Sequence, residues 1–406
     1  MARYIATIPN TGAGQQAVNH LKEFGFQFGI AYRESLSDFL RQRSTQLGAM
    51  SILDELPYGF HSLDITDGQE ETAIAKILRW HSYPTSTRQW RGYIEALEPN
   101  VKFELSALGL PFYLGGYHTN YLKRLDIAAA RGGGASDVKV AVLDTGSKGL
   151  HFVSDFYDLT TTSVAFHPGA SSQVDTDGHG TAMATLVHEV APKASISVVR
   201  ITDTAPEYMH VLAGLAIAIC DCHAEIVNLS FGFSTFGGSC GACGANDVSR
   251  AIALEKMLAM MIDLKPAGRP GFRAPIFVAA VGNDHKTTEF LYPAAFDQTI
   301  AVGSVNDSDQ RSTFSNYGAT HSAFLVAPGG DDSPGPKEDV GSGSTASCFG
   351  TSVSTAYVSG VLALMRQDRT YSSLNREDLI DALLKMCTVP GGGSPNEYGH
   401  GILQYV

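Results

Sequence analysis

Short apolar runs that each end in one polar residue constrain this chain more than any other feature. Val138-Lys139-Val140-Ala141-Val142-Leu143 closes on Asp144-Thr145-Gly146, and Ile276-Phe277-Val278-Ala279-Ala280-Val281 closes on Gly282-Asn283. Runs this short, apolar and bounded by turn residues read as strands buried on both faces, the environment of a parallel sheet. Helical signals lie between and after them, from Ala182 to Val190 and from Ser352 to about Met365. Alternating strands and helices predict an α/β unit: a mostly parallel sheet with helices on both faces and right-handed crossovers. Reacting groups are then expected outside the carboxyl ends of the strands.

The polar residues at these ends form a chemical set. Ser352, in Phe349-Gly350-Thr351-Ser352-Val353, stands where a helix begins. Unpaired N–H groups and the positive dipole end favour an anion there, although a plain helix cap reads the same way. His179 opens a second helix in Asp177-Gly178-His179-Gly180-Thr181, and Asp144 ends a strand. A buried carboxylate can fix a histidine tautomer, the histidine can take a serine's proton, and the serine can attack a carbonyl. The amide of Asn283 can donate to the resulting oxyanion, or simply make a turn.

The chain resembles the subtilisin-like serine proteases (subtilases) from about Tyr121 to Gly401. Several blocks besides those above carry the resemblance. They include Val190-Ala191-Pro192, Asn228-Leu229-Ser230-Phe231-Gly232, Tyr292-Pro293-Ala294, Phe314-Ser315-Asn316-Tyr317-Gly318 and Val326-Ala327-Pro328-Gly329. The resemblance implies Ser352 as nucleophile, His179 as general base and acid, Asp144 as orienting carboxylate and Asn283 as oxyanion donor. It also implies that a polypeptide substrate pairs as an added antiparallel strand with Ser230, Phe231 and Gly232. Gly282 would line the pocket for the residue before the scissile bond. Leu291 would form the floor, making that pocket shallow and apolar, and Asp284 would be a rim charge at most. A cis Tyr292–Pro293 bond is a further implication. Ala182, Val353, Ser354, Ala356 and Tyr357 depart from the family pattern without removing a reacting group.

Residues 1 to about 104 read as a separate α+β unit. Strands are expected at Tyr4–Ile8, Phe26–Tyr32, Leu63–Ile65 and Gly92–Leu97, with helices at Gly12–Phe24 and Glu70–Trp80. That order suggests a split βαβ sandwich. It resembles the inhibitory propeptide of subtilases, with an insertion from Ser35 to Pro57. The unit would be the chain's own inhibitor or folding chaperone, or else a receptor for a regulatory partner. Residues 105–135 form a connection, and 136–406 the catalytic domain. A protease scaffold that only binds remains the alternative to an active endopeptidase.

The net charge of −12 argues against nucleic acid or an anionic membrane as partner. No apolar run is long enough to span a bilayer. The N-terminus lacks a signal-peptide core, which predicts a cytoplasmic address, or secretion if a leader precedes the sequence as given. Cys240 and Cys243 lie across a strand, about 20 Å of extended chain, from Cys220 and Cys222, which disfavours one four-cysteine metal site. Free thiols are expected for these and for Cys348 and Cys387, a loop disulfide being the alternative. No cofactor or metal is expected. The helix after His179 has no loop and few oxygen ligands with which to cage calcium.

Overall fold

The computed structural model describes residues 2–43, 47–66, 94, 96–99, 104–105, 138–161, 165–168, 173–234, 251–264, 272–330 and 349–405. Alternation along the first strand, Ala2–Pro9 (β1), divides its side chains between two cores. Tyr4, Ala6 and Ile8 pack on Ala17, Val18 and Leu21 of the helix Gly12–Phe24 (α1). Ile5 belongs instead to a larger core shared with Leu143, Val199 and Phe277. Further strands are Ile30–Ser35 (β2), Tyr58–Ile65 (β3) and Ala96–Pro99 (β4). The sheet order is β2-β3-β1-β4, with every neighbour antiparallel. β1 and β2 therefore run parallel with β3 between them, which is the split βαβ arrangement.

Two local expectations are corrected. Phe26 does not begin a strand: a 3₁₀ turn covers Gly25–Phe28, and the chain reverses at Gly29, whose φ is +73°. The Phe26 ring is 71% exposed, so its apolarity carried no strand signal. The third strand is also longer than Leu63–Ile65: it starts at Tyr58, and Phe60 is buried in the same core as Ile5. The insertion folds as two short helices, Leu36–Arg41 (α2) and Ala49–Leu53 (α3). Ser35 and Asp38 close a capping box at the first of these. The helix expected at Glu70–Trp80 lies outside the described residues, as do Cys240, Cys243 and Cys348.

The connection contributes Glu104–Leu105 (β5). The large sheet then comprises Lys139–Asp144 (β6), Val153–Asp158 (β7), Ala165–Pro168 (β8), Ser195–Arg200 (β9) and Ile226–Leu229 (β10). Phe231–Gly232 (β11) leaves this sheet to pair with β5. Ile276–Ala280 (β12), Thr299–Val305 (β13), Phe324–Pro328 (β14), Cys387–Thr388 (β15) and Ile402–Leu403 (β16) complete the sheet. Its order is β15-β16-β14-β13-β12-β10-β6-β9-β7-β8, parallel except for the two edge pairs. After β9 the chain crosses to the other side of β6. Asp144 thus ends a strand at the point where the winding reverses, the usual place for a site in such a sheet.

Both faces of β6 are covered, which accounts for its unbroken apolar run. Val140 and Val142 meet the helices His179–Val190 and Thr351–Gln367. Ala141 and Leu143 face the helix Tyr208–Cys220, against which the helix Ile252–Asp263 packs in turn. Gly360 lets the His179 and Ser352 helices touch, since a Cβ there would stand 2.5 Å from Val190. Among the described residues Cys220, Cys222 and Cys387 form no disulfide, and the first two are buried. No helix among the described residues is long and apolar enough to cross a membrane.

Candidate active site

Asp144, His179 and Ser352 meet although they lie far apart in sequence. His179 Nδ1 is 2.6 Å from Asp144 Oδ1, and His179 Nε2 is 3.1 Å from Ser352 Oγ. All three side chains are fully buried beneath the carboxyl ends of the central strands. The serine hydroxyl also lies 2.9 Å from the Ser230 carbonyl, to which it can donate. The chemistry available is proton transfer from Ser352 to His179, with Asp144 holding the ring and balancing the charge that forms.

Local backbone geometry makes this meeting possible. Gly178 precedes the His179 helix with φ of +97°, a conformation suited to glycine. Gly180 presses the start of that helix against the end of β6: a Cβ there would fall 2.3 Å from the Gly146 carbonyl and 3.0 Å from Asp144 Cβ. Gly350 precedes the Ser352 helix with φ of +138°. Ser352 sits in the first turn, where N–H groups have no carbonyl one turn back.

Asp175 is a residue that the sequence reading did not single out. Its Oδ1 accepts from Thr145 Oγ1 at 3.0 Å, Gly178 N at 2.7 Å and Asp177 N at 3.2 Å. Its Oδ2 accepts from Thr181 N at 2.8 Å and Thr181 Oγ1 at 2.6 Å. One carboxylate thus ties the segment after Asp144 to both sides of His179. Burial works to raise its pKa, but the donors of Thr181, Gly178 and Thr145 hold it below the ordinary value. The nearby sequence offered little signal, because an Asp four residues before a His is common in turns.

Charge at His179 follows from the same surroundings. Burial disfavours the imidazolium, but the Asp144 carboxylate, with smaller help from Asp177 and Asp175, raises the pKa above its ordinary value. Asp144 Oδ1 also accepts from Thr145 N at 2.8 Å, while Oδ2 has no hydrogen-bond partner among the described residues.

Asn283 is oriented by the Ser352 helix. Thr351 N and Thr351 Oγ1 both donate to Asn283 Oδ1 at 3.0 Å. With its oxygen so engaged, the amide nitrogen is turned away from Thr351 and is free to donate. Asn316 shapes the same loop: Nδ2 donates to the Val281 carbonyl, and Oδ1 accepts from Asp284 N and Lys286 N. Asn316 is fully buried and lies in a block quoted above for the resemblance, yet its role could not be read there.

The residues expected to bind substrate lie close to Ser352 or to one another. Ser230 Oγ lies 3.3 Å from the Ser352 carbonyl and accepts from Asn228 Nδ2, which Ser359 braces from the helix. Leu291 fills the space between Gly232 and Gly282. A Cβ on Gly232 would meet Leu291 at 2.7 Å, and one on Gly282 would meet it at 2.6 Å. Asp284 is exposed. The Tyr292–Pro293 bond is cis. The His179 helix runs without interruption into Ala191, whose N–H closes on Val187. Ala182, Val353, Ala356 and Tyr357 are buried with the parallel sheet, and Ser354 donates to the Ala327 carbonyl.

The model of the subtilase family matches residues 135–401. The chain belongs to the subtilase family. Subtilisin BL of Lederbergia lenta is 31% identical over 287 residues, covering 70% of this chain and 95% of that protein. An intracellular serine protease of Paenibacillus polymyxa is 29% identical over 296 residues, 66% of this chain and 78% of that protein. In fold, this subtilase matches the solved epidermin leader peptide processing serine protease of Staphylococcus aureus, with a TM-score of 0.68 at 17% identity. That match covers 100% of this chain and 98% of the other. The subtilase is therefore a serine protease with the fold expected from its strand pattern.

Proposed function

We propose that the protein is a serine endopeptidase in which Ser352 attacks the peptide carbonyl. His179 Nε2 takes the hydroxyl proton and returns it to the leaving amine. Water then attacks the acyl-enzyme by the same route. Asp144 holds the histidine, while Asn283 Nδ2 and the Ser352 N–H receive the oxyanion. The observation that carries this reading is the unbroken chain from Asp144 through His179 to the Ser352 hydroxyl, at 2.6 and 3.1 Å. In the resting site the hydroxyl also reaches the Ser230 carbonyl. A substrate amide that takes this carbonyl releases the hydroxyl to His179. A fluorophosphonate probe tests the reading: native protein is labelled at Ser352 and heat-unfolded protein is not. An unlabelled native protein would favour the silent scaffold.

The N-terminal unit acts as an intramolecular inhibitor. β5 pairs antiparallel with β11, Leu105 opposite Phe231 and Glu104 opposite Gly232, on the strand expected to bind substrate. In a substrate bound in this register, the next residue faces Ser230 beside the nucleophile. By sequence the residue after Leu105 is Ser106, so we propose cleavage after Ser106 as the processing event. A small residue there suits a pocket that Leu291 occupies, and we extend that preference to other substrates. The name of the Paenibacillus relative supports an address inside the cell.

A further inference from the structure

The helix that begins beside Ser352 ends in a buried cation. Arg366 follows the apolar run Val361-Leu362-Ala363-Leu364-Met365 and is only 3% exposed. Its Nη1 donates to the Leu374 carbonyl at 2.6 Å. Its Nε and Nη2 have no hydrogen-bond partner among the described residues. These two nitrogens form one edge of the planar guanidinium, the fork that grips an oxyanion through two parallel N–H···O bonds. Buried charged donors left unpaired are costly, and a Met at this position would fill the space without them. The negative end of the helix dipole favours a cation here, yet it accounts for no bond to the fork.

The charges around Arg366 do not balance. Glu225, just before β10, brings Oε2 within 3.7 Å of Arg366 Nε, too far for a hydrogen bond. The same oxygen accepts from Arg273 Nη1 at 2.9 Å. Two guanidiniums thus share one carboxylate, which bonds to the outer of them. One positive charge is left over, and it belongs to the buried side chain. Burial lowers the Arg366 pKa, Glu225 raises it and Arg273 lowers it further, so the cation stands in a costly place. Arg273 is exposed and Glu225 half-buried, which opens the cluster to solvent on that side. The cluster lies at the starts of β10 and β12, whereas Ser352 lies beyond the strand carboxyl ends. Fourteen helical residues separate Arg366 from Ser352, roughly 21 Å at 1.5 Å per residue.

We propose that the Arg366 fork, with Arg273 at its mouth, is a binding site for a small planar oxyanion of the carboxylate, bicarbonate or nitrate class. Two oxygens of such an ion match Nε and Nη2, and its charge cancels the excess that Glu225 leaves. Bound there, the ion ties the end of the Ser352 helix to the segments that lead into β10 and β12. It acts on stability and touches none of the reacting groups. This inference goes beyond the catalytic reading and does not rest on it.

The test is thermal melting of the full-length Ser352→Ala protein at fixed ionic strength, with chloride replaced stepwise by nitrate and, in parallel, by formate. Neither is a strongly excluded anion such as sulfate, which stabilises proteins in general, so a saturable gain reports binding. A rise in Tm of a few degrees that levels off with concentration is expected. Arg366→Met should abolish the rise and melt in chloride at or above the parent, because no buried donor is then left unpaired. Arg273→Gln, at an exposed position, should fold normally and move the nitrate midpoint at least tenfold higher. No saturable gain from either ion would overturn the proposal. So would an equal gain in Arg366→Met, which would place the ion elsewhere. Should Arg366→Met fail to fold, an unchanged nitrate midpoint in Arg273→Gln would overturn it too. Because Ser352 is absent throughout, failure here is separable from failure of the catalytic reading.

Discussion

The reacting centre and the seam where α2 and α3 meet the 208–220 helix are both buried, but they are held together in different ways. At the centre, small polar groups are fixed by directed hydrogen bonds: Asp175 takes five, and Asn283 is aimed by two from Thr351. Where the N-terminal unit packs on the 208–220 helix, Leu36, Phe39, Leu40 and Met209 contribute apolar area, beside the polar contacts of Asp221, Glu98 and Arg3. Directed bonds confer geometry, because losing one group misplaces the rest. Apolar area confers cohesion, roughly in proportion to the surface removed from water. Substitutions at the centre should therefore change rate with little change in stability, and substitutions at the seam the reverse.

The largest expected effect is at Ser352. Ser352→Ala should lower kcat by about 10⁶-fold, a magnitude taken from the family member subtilisin rather than derived from this geometry. Its melting temperature should stay close to that of the parent. Residual peptidase activity near the parent level would break the comparison at its strongest point. Asn283→Ala comes next, with a loss of about 100–1000-fold in kcat and little change in KM, again on the subtilisin scale. An affinity loss at unchanged turnover would show that the amide only binds substrate.

Leu40 sharpens the other side. The side chain is fully buried at the seam. Leu40→Ala should cost about 2–5 kcal/mol of stability, read from denaturant unfolding, while kcat of the surviving native protein changes little. A large fall in kcat at unchanged stability would mean that the seam transmits geometry as well as cohesion.

The smallest expected effect is the pH profile. His179 must be neutral to accept a proton, and its surroundings raise its pKa. Activity should therefore climb with pH through a midpoint above the ordinary histidine value, not below it. Asp177→Asn should move that midpoint slightly downward, since Asp177 is among the groups that favour the charged ring. A profile flat from pH 5 to 9 under conditions where chemistry limits the rate would contradict a histidine base.

Legibility differed between the two regions for the same reason. Asp144, Asn283 and Ser352 were visible because each ends or begins a regular element, where a lone polar residue interrupts an apolar pattern. The split βαβ order could likewise be read from the spacing of strands and the α1 helix. Asp175 and Asn316 escaped notice because their importance lies in who donates to them, and those donors are backbone amides that any residue carries. Phe26 misled because an exposed aromatic ring beside Gly29 looks, in sequence, like the start of a strand.

The sequence alone determined the parallel sheet, the order of the proposed reacting groups and their placement at element ends. Apolar periodicity is local, and a strand or helix writes its buried face directly into neighbouring residues. Only the tertiary structure decided what covers the 208–220 helix, which register β5 takes on β11 and where Leu291 comes to rest between Gly232 and Gly282. Those outcomes depend on which surfaces meet across long stretches of chain. An apolar helix specifies that it must be covered, and not by what.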